Sequence, residues 1–233
     1  MSSIAIITAR GGSKRIPKKN IKEFCGKPII AYSIEAALQS GAFDEVMVST
    51  DSEEIADIAR SFGASVPFMR SERTANDFAT TADVLEEVIV EYEKGGRRFD
   101  SFCCIYPTAP FVTAEKLKDA LAQFEESGCD SAMTVVRFDF PPQRALLIKD
   151  GKLVYQYPEN AVKRSQDLEP IYHDCGQFYI CKTDSFMQTH SVVSGNTMPY
   201  IVSETEVQDI DNPSDWLIAE AKFSVIRSKE GNK

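Results

Sequence analysis

Five cations, Arg10, Lys14, Arg15, Lys18 and Lys19, fall between residues 10 and 20, and no acid interrupts them. The chain around them is acidic, with a formal net charge of -9 at pH 7. Positive charge concentrated against that background points to an anionic ligand. Gly11 and Gly12 stand at the head of the stretch. Glycine allows the backbone to approach a ligand closely or to take positive φ, so that successive N–H groups converge on phosphate oxygens. Arginine adds bidentate forks and lysine adds point charges. At an effective dielectric near 20, one cation about 4 Å from a phosphate oxygen gains roughly 4 kcal/mol before desolvation. The spacing matches neither G-x-x-x-x-G-K-[ST] nor G-x-G-x-x-G, which argues against a kinase-type P-loop and a nicotinamide enzyme. The plain alternative is a solvated basic loop.

A second candidate lies near the other end of the chain, in Val207-Gln208-Asp209-Ile210-Asp211. If that segment is extended, both carboxylates project from one face and Ile210 turns the other way. Hard oxygen donors of this kind suit Mg²⁺, which uses one or two carboxylates and completes its shell with substrate phosphates and water. Helix capping ahead of Pro213 is the competing use of these acids. The two histidines, His173 and His190, support no Ser-His-Asp arrangement. The six cysteines show no C-x-x-C spacing, so they are expected as reduced structural thiols rather than zinc ligands.

The elements that must position these groups follow a repeating order. Ile4 to Thr8 is a short β-branched run of strand type, and the cationic stretch follows it at once. Pro28 suits the first turn of a helix whose Ile30, Ile34 and Leu38 form one stripe, closed by Gly41. A strand at 46–49 ends at Thr50-Asp51, and a helix with Ile55, Ile58, Ala59 and Phe62 follows. Ser65 to Met69 is a possible strand in which Pro67 favours an edge or a bulge. Further helices carry Leu85, Val88, Ile89 and Tyr92, then Leu117, Ala120, Leu121 and Phe124, the latter capped by Thr113. Between and after them come strands at 102–105, whose adjacent Cys103 and Cys104 face opposite sides, and at 131–136. This predicts an α/β fold with an open, doubly wound, mostly parallel sheet, whose ligands bind beyond the carboxyl ends of the strands. The cationic loop, Asp51, Arg70 and Tyr106-Pro107-Thr108 all fall at such ends.

From residue 137 the pattern changes. Asp150-Gly151, between Leu146-Leu147-Ile148 and Leu153-Val154-Tyr155, reads as a hairpin turn. We take residues 137–177 as a β-rich insertion in a single domain spanning 1–228, with Phe178 to Cys181 returning to the main sheet. Trp216 to Ile226 is a terminal helix, and 229–233 are expected as a flexible tail. The acidic balance disfavours nucleic acid as a partner. No stretch reaches about 18 uninterrupted apolar residues and no leader pattern precedes Ile4, so a cytoplasmic protein without membrane attachment is expected.

Ile4 to Asn20, continued through Phe24-Cys25-Gly26-Lys27-Pro28-Ile29-Ile30-Ala31-Tyr32-Ser33, resembles the N-terminal signature of the bacterial cytidylyltransferases that activate nonulosonic acids, the CMP-sialic acid synthetase family. The resemblance implies a nucleotidyltransferase of Rossmann-like fold that uses CTP and an acidic nine-carbon sugar with Mg²⁺. It implies nucleotide contacts from Ala9, Arg10, Gly12, Ser13, Lys14, Asn20, Arg70, Ala79, Thr80 and Thr81, with the segment 70–81 holding the cytosine. Asp209 and Asp211 match the family's metal-binding pair. Catalytic work falls to Arg10, Lys14, Lys19 and Asp211. In the resembled family the β-rich insertion forms much of a homodimer contact.

The sugar end departs from the sialic acid type. Tyr106 stands where those enzymes usually have glutamine, and Asp174-Cys175-Gly176-Gln177 replaces an Asn-Gly pair. Tyr106 to Pro110, Arg164 to Leu168 and His173 to Tyr179 are similar to the pseudaminic acid branch. Sugar contacts are accordingly expected from Tyr106, Thr108, Arg164, Gln166, His173, Gln177 and Tyr179, with Arg164 suited to the sugar carboxylate. His173 reads as a hydrogen-bonded loop histidine rather than a base. Sialic acid, legionaminic acid and the eight-carbon Kdo are alternative acceptors, and a non-catalytic nucleotide sensor is the alternative outside the enzyme class.

Overall fold

The computed structural model describes residues 1–230. Strand β1 (Ser3–Thr8) runs into the cationic loop, which ends in a small ribbon, β2 (Glu23–Phe24) with β3 (Lys27–Pro28). Helix α1 (Ile29–Ser40) leads to β4 (Glu45–Ser49), α2 (Glu53–Ser61), the single turn α3 (Glu72–Ala75) and α4 (Thr81–Lys94). After these come β5 (Ser101–Ile105), α5 (Ala114–Ser127) and β6 (Ser131–Arg137). The hairpin β7 (Leu146–Lys149) and β8 (Lys152–Tyr155) precedes β9 (Tyr172–Lys182), α6 (Thr183–Thr189), β10 (Thr197–Ile201) and α7 (Pro213–Glu230). Of the tail expected at 229–233, residues 229 and 230 end α7, and 231–233 lie outside the described residues.

The main sheet has six strands in the order β10-β6-β9-β5-β1-β4. Strand β9 runs antiparallel to both of its neighbours, and the other pairs are parallel. Side chains that alternate along β1 separate into two cores, as the two-residue period of a strand requires. Ala5 and Ile7 pack with Ile30 and Ile34 of α1 and Leu117 and Phe124 of α5, whereas Ile4 and Ile6 pack with Leu85 and Val88 of α4. Helices on both faces give the doubly wound arrangement expected. Cys103 and Cys104 divide between the same two cores, and all six cysteines are free.

Local signals account for the boundaries. Gly41 ends α1 at φ 60°, the left-handed turn that glycine adopts without strain. Thr113 caps α5 by accepting from the Lys116 N–H at 3.3 Å. Asp150 and Gly151 both take positive φ, 50° and 73°, as a tight two-residue hairpin turn demands. Three readings change. The segment 65–69 forms only a bridge from Ser65 to Met47, because Pro67 withholds the N–H that would extend the ladder. Leu38 is 41% exposed, since the buried stripe of α1 runs through Ile30 and Ile34 and leaves its last turn at the edge. The pairing of β9 starts at Tyr172, inside the span assigned to the insertion, and a register shift between Met133 and Val135 marks its entry to the sheet.

A third core fixes the ends of the chain relative to the cationic loop. Ile16 from that loop, Phe24, Tyr32, Phe111, Ile210 and Trp216 of α7 share one apolar cluster. Phe24 meets Tyr32, Trp216 and Phe223 edge-on, at ring centroid distances of 5.7, 5.5 and 5.4 Å. Ile16 and Ile210 are exposed by only 4% and 0%. Burying one such side chain contributes roughly 1.5–3 kcal/mol, and here it pins two distant segments side by side.

Candidate active site

The carboxyl ends of β1 and β5 open onto a cleft of about 660 Å³. Its floor is Thr8, Tyr106, Pro107 and Thr108, one wall is the cationic loop, and the other is the segment from Arg70 to Thr81. Arg10, Lys14, Arg15 and Lys19 all line it. Lys18 turns away to Glu54 at 2.7 Å. The loop is held from behind. Asn20, buried, donates from Nδ2 to Arg10 O at 2.9 Å, and Gly11 N–H donates to Asp51 Oδ1 at 2.8 Å.

The glycines serve a different purpose from the one expected. Neither Gly11 nor Gly12 takes positive φ. At Gly11 a side chain would lie 3.2 Å from Ser52 Cβ, so the need there is close approach to the turn after β4. Gly12 faces open space, and it and the buried Ala9 do not line the cleft. Ala9 instead extends the sheet, its N–H bonding to Ser49 O at 2.9 Å.

On the opposite wall, Arg70 is buried and donates from Nε to Ser49 Oγ at 3.1 Å and from Nη2 to Ser49 O at 2.7 Å. Burial draws its pKa down, opposed by the Asp51 and Glu87 charges. Asn76 Oδ1 accepts from the N–H groups of Phe78 and Ala79, at 2.8 and 3.0 Å, and folds the loop tip. Eight of the ten expected nucleotide residues, all but Ala9 and Gly12, face one space: Arg10, Ser13, Lys14 and Asn20 across from Arg70, with Ala79, Thr80 and Thr81 adjoining it.

Asp211 lines the same cleft and is held by the loop itself. Arg15 Nη2 donates to Asp211 Oδ1 at 2.8 Å, and Lys19 Nζ sits 3.8 Å from that oxygen while donating to Ile210 O at 2.6 Å. Ile210 is buried in the third core between Asp209 and Asp211, and Asp209, exposed, neither lines the cleft nor pairs with a cation among the described residues. The capping alternative goes to other residues. Asn212 Oδ1 accepts from the N–H groups of Ser214 and Asp215, and Asp215 Oδ2 accepts from those of Asp211 and Asn212. Partial burial and the neighbouring Asp211 carboxylate push the Asp209 carboxyl above its usual range. Burial lowers Lys19, against the pull of Asp211 and Asp209. Two crowded carboxylates that a cation would relieve are a fitting donor set for Mg²⁺. No group of three or more metal-type side chains occurs among the described residues.

The residues expected at the sugar end divide. Tyr106 and Thr108 line the cleft. Tyr106 lies 3.3 Å from Thr81 Oγ1 through its hydroxyl, and its ring packs 5.5 Å from that of the buried Tyr179. Tyr179 donates to Asp174 Oδ2 at 2.6 Å. Gln177 is buried behind them, with Nε2 donating to Glu206 O at 2.6 Å and Oε1 lacking a partner. Arg164, Gln166 and His173 are exposed and do not line the cleft. Arg164 pairs with Asp167 at 2.8 Å, and His173 packs on Phe138 with its Nδ1 2.8 Å from Asp174 O. Arg15, counted in the sequence with the phosphate cations, holds Asp211 instead, and Asp77, which no spacing marked, reaches Arg10 at 2.7 Å and also pairs with Lys14.

The cytidylyltransferase family model matches residues 4–205. The chain belongs to the cytidylyltransferase family. As a cytidylyltransferase it is a nucleotidyltransferase enzyme, as the resemblance of Ile4 to Ser33 implied. It is 38% identical over 226 residues to the pseudaminic acid cytidylyltransferase of Campylobacter jejuni subsp. jejuni serotype O:2, covering 97% of each chain. It is 37% identical over 228 residues to the CMP-N,N'-diacetyllegionaminic acid synthase of Legionella pneumophila subsp. pneumophila, covering 94% of this chain and 95% of the relative. A solved CMP:2-keto-3-deoxy-manno-octonic acid synthetase in complex with CTP superposes with a TM-score of 0.69 at 19% identity, covering 96% of this chain and 99% of that one. At that identity the likeness speaks for the fold. Among the described residues no helix is long and apolar enough to cross a membrane.

Proposed function

We propose that this cytidylyltransferase joins CTP to pseudaminic acid, giving CMP-pseudaminic acid and pyrophosphate. The observation that carries this reading is the single cleft shared by the cationic loop, the Arg70 to Thr81 segment, Asp211 and Tyr106, in a chain that matches a pseudaminic acid cytidylyltransferase over 97% of its length. The anomeric hydroxyl of the sugar is the nucleophile toward the α-phosphate. No protein nucleophile is then required, and catalysis consists of positioning and charge stabilisation.

In this reading Arg10, Lys14 and Lys19 neutralise the triphosphate, Ser13 and the backbone of the loop orient it, and Asn20 keeps the loop in shape. Arg70 and the Ala79 to Thr81 edge take the cytosine. Tyr106 and Thr108 meet the sugar, with Tyr179 and Gln177 supporting Tyr106 from behind. Asp209 and Asp211 would hold Mg²⁺, which supplies charge neutralisation at the phosphates when bound. Arg15, which donates to Asp211 and lines the same cleft, would stand beside both the ion and the phosphates. The exposed hairpin, with Ile148 at 78% and Leu153 at 67% exposure, supports a homodimer built on the insertion. Such a contact gives Arg164, Gln166 and His173 a role on a neighbouring copy's cleft. A cytoplasmic location and use of the product in surface or flagellin glycosylation accompany this reading.

The Legionella relative, one percentage point lower in identity, favours legionaminic acid as the second acceptor to test. Pseudaminic, legionaminic and sialic acids and Kdo are each offered with CTP and Mg²⁺, and pyrophosphate release is followed. The reading expects the highest kcat/KM with pseudaminic acid. A preference for another acid reassigns the substrate, and CTP binding without pyrophosphate release from any acid makes the chain a sensor.

A further inference from the structure

Arg70 and Glu87 are the least exposed charged residues among those described, at 8% each. The arginine faces the cleft, but the glutamate does not line it. A carboxylate taken out of water is costly unless several donors replace the solvent. Glu87, on α4, has them. Its Oε1 accepts the Ser71 N–H at 2.8 Å, and its Oε2 accepts the hydroxyls of Ser71 and, at 2.8 Å, Thr74. Arg73 Nη2 stands 3.8 Å away. All of these donors belong to the first five residues of the segment that begins at Arg70.

The far end of that segment is tied to the same helix. Thr80 N–H donates to Asp83 Oδ2 at 2.7 Å, and Asp83 N–H donates to Thr80 Oγ1 at 3.2 Å. Asp83 and Glu87 are four residues apart and share one face of α4. One helix face therefore clamps both ends of the wall opposite the cationic loop. Ser71 adjoins Arg70 in sequence, and the buried Thr74 itself lines the cleft.

We propose that Glu87 is a positioning residue for nucleobase recognition: it fixes Ser71 and Thr74, and through them sets Arg70 at the spacing from Ala79 to Thr81 that a cytosine edge fits. The proposal rests on the reading that this segment takes the base. Glu87 touches no reacting atom. Its loss should loosen the base site and leave the sugar site alone.

The test compares Glu87→Gln, Glu87→Asp, Ser71→Ala and Arg70→Lys with the unmodified enzyme, measuring KM for CTP and for the acidic sugar and the CTP-over-UTP ratio of kcat/KM. Glutamine keeps the shape but turns an N–H₂ group toward donors. We expect Glu87→Gln to raise KM for CTP at least about tenfold and lower the CTP-over-UTP ratio, with KM for the sugar within about twofold. Glu87→Asp should recover part of the loss, and Ser71→Ala should give a smaller shift of the same kind, which keeps the test open if Glu87→Gln does not fold. Arg70→Lys raising KM for CTP while Glu87→Gln and Ser71→Ala leave it unchanged overturns the role of Glu87 alone. Arg70→Lys leaving KM for CTP unchanged overturns the placement of the base and the proposal with it. A parallel rise in both KM values in Glu87→Gln marks a general structural role and also overturns the proposal.

Discussion

Asp77 Oδ1 accepts from Arg10 Nη1 at 2.7 Å, joining the two walls of the cleft across its mouth. Hydrogen bonds from Lys14 and Arg10 hold the Asp77 carboxyl below its usual range. A triphosphate gripped by these cations must replace that carboxylate. Asp77→Asn should therefore lower KM for CTP, by about two- to fivefold at low salt, since an exposed pair of this kind is weak and screened. Steady-state kinetics at two ionic strengths check this. A raised KM in the variant would show that Asp77 aids binding instead.

Arg10→Ala removes one of the cations lining the cleft, in the proposed reading a phosphate contact, without touching a core. KM for CTP should rise at least about tenfold while KM for the sugar stays near its original value. Equal KM values for CTP in the variant and the unmodified enzyme would count against the cradle.

Asp211→Ala should lower kcat by at least about a hundredfold, the loss expected for one electrostatic stabiliser. Its side chain is 42% exposed and its partner Arg15 is 68% exposed, so the fold should survive, as circular dichroism would show. Near-normal turnover in the variant removes the metal assignment.

Phe24→Ala opens a cavity where Tyr32, Trp216 and Phe223 converge. Denaturant unfolding should show a loss of about 3–5 kcal/mol. Because Ile16 and Ile210 share that core, activity should fall more steeply with temperature than in the unmodified enzyme. A stable variant with unchanged activity would separate the core from the site.

Burial works to raise the Glu87 carboxyl, and the hydrogen bonds from Ser71 and Thr74 outweigh it, leaving the pKa below its ordinary 4.5. A carboxylate depressed in the folded state lends stability above its unfolded pKa and loses it as pH falls through the folded value. The difference in Tm between the unmodified enzyme and Glu87→Gln should be constant near neutrality and shrink as pH drops below about 4.5. A difference that stays constant through that window contradicts the depressed pKa.

Local signals made most of this legible. The run before Arg10, the Thr113 cap and the Asp150-Gly151 turn each specify backbone geometry within a few residues, and the chain adopts them. Long-range pairings were not visible in the same way. Asp77 meets Arg10 across 67 positions, and no spacing announces it. Glu87 sits in a helix whose apolar stripe of Leu85, Val88, Ile89 and Tyr92 is plain, so its own burial against the loop reads as a solvated charge. Strand β10 was missed because Pro199 interrupts a half-exposed pattern at the sheet edge. The direction of β9 depends on how the chain re-enters after the insertion, which composition does not encode.

The most direct measurement supplies pseudaminic acid labelled with a heavy oxygen isotope at its anomeric hydroxyl, together with CTP and Mg²⁺, and weighs the products by mass spectrometry. Direct attack by the sugar in the shared cleft predicts a CMP conjugate that keeps the label, formed in step with unlabelled pyrophosphate. A conjugate without the label, label in the pyrophosphate, or no conjugate at all would contradict the account.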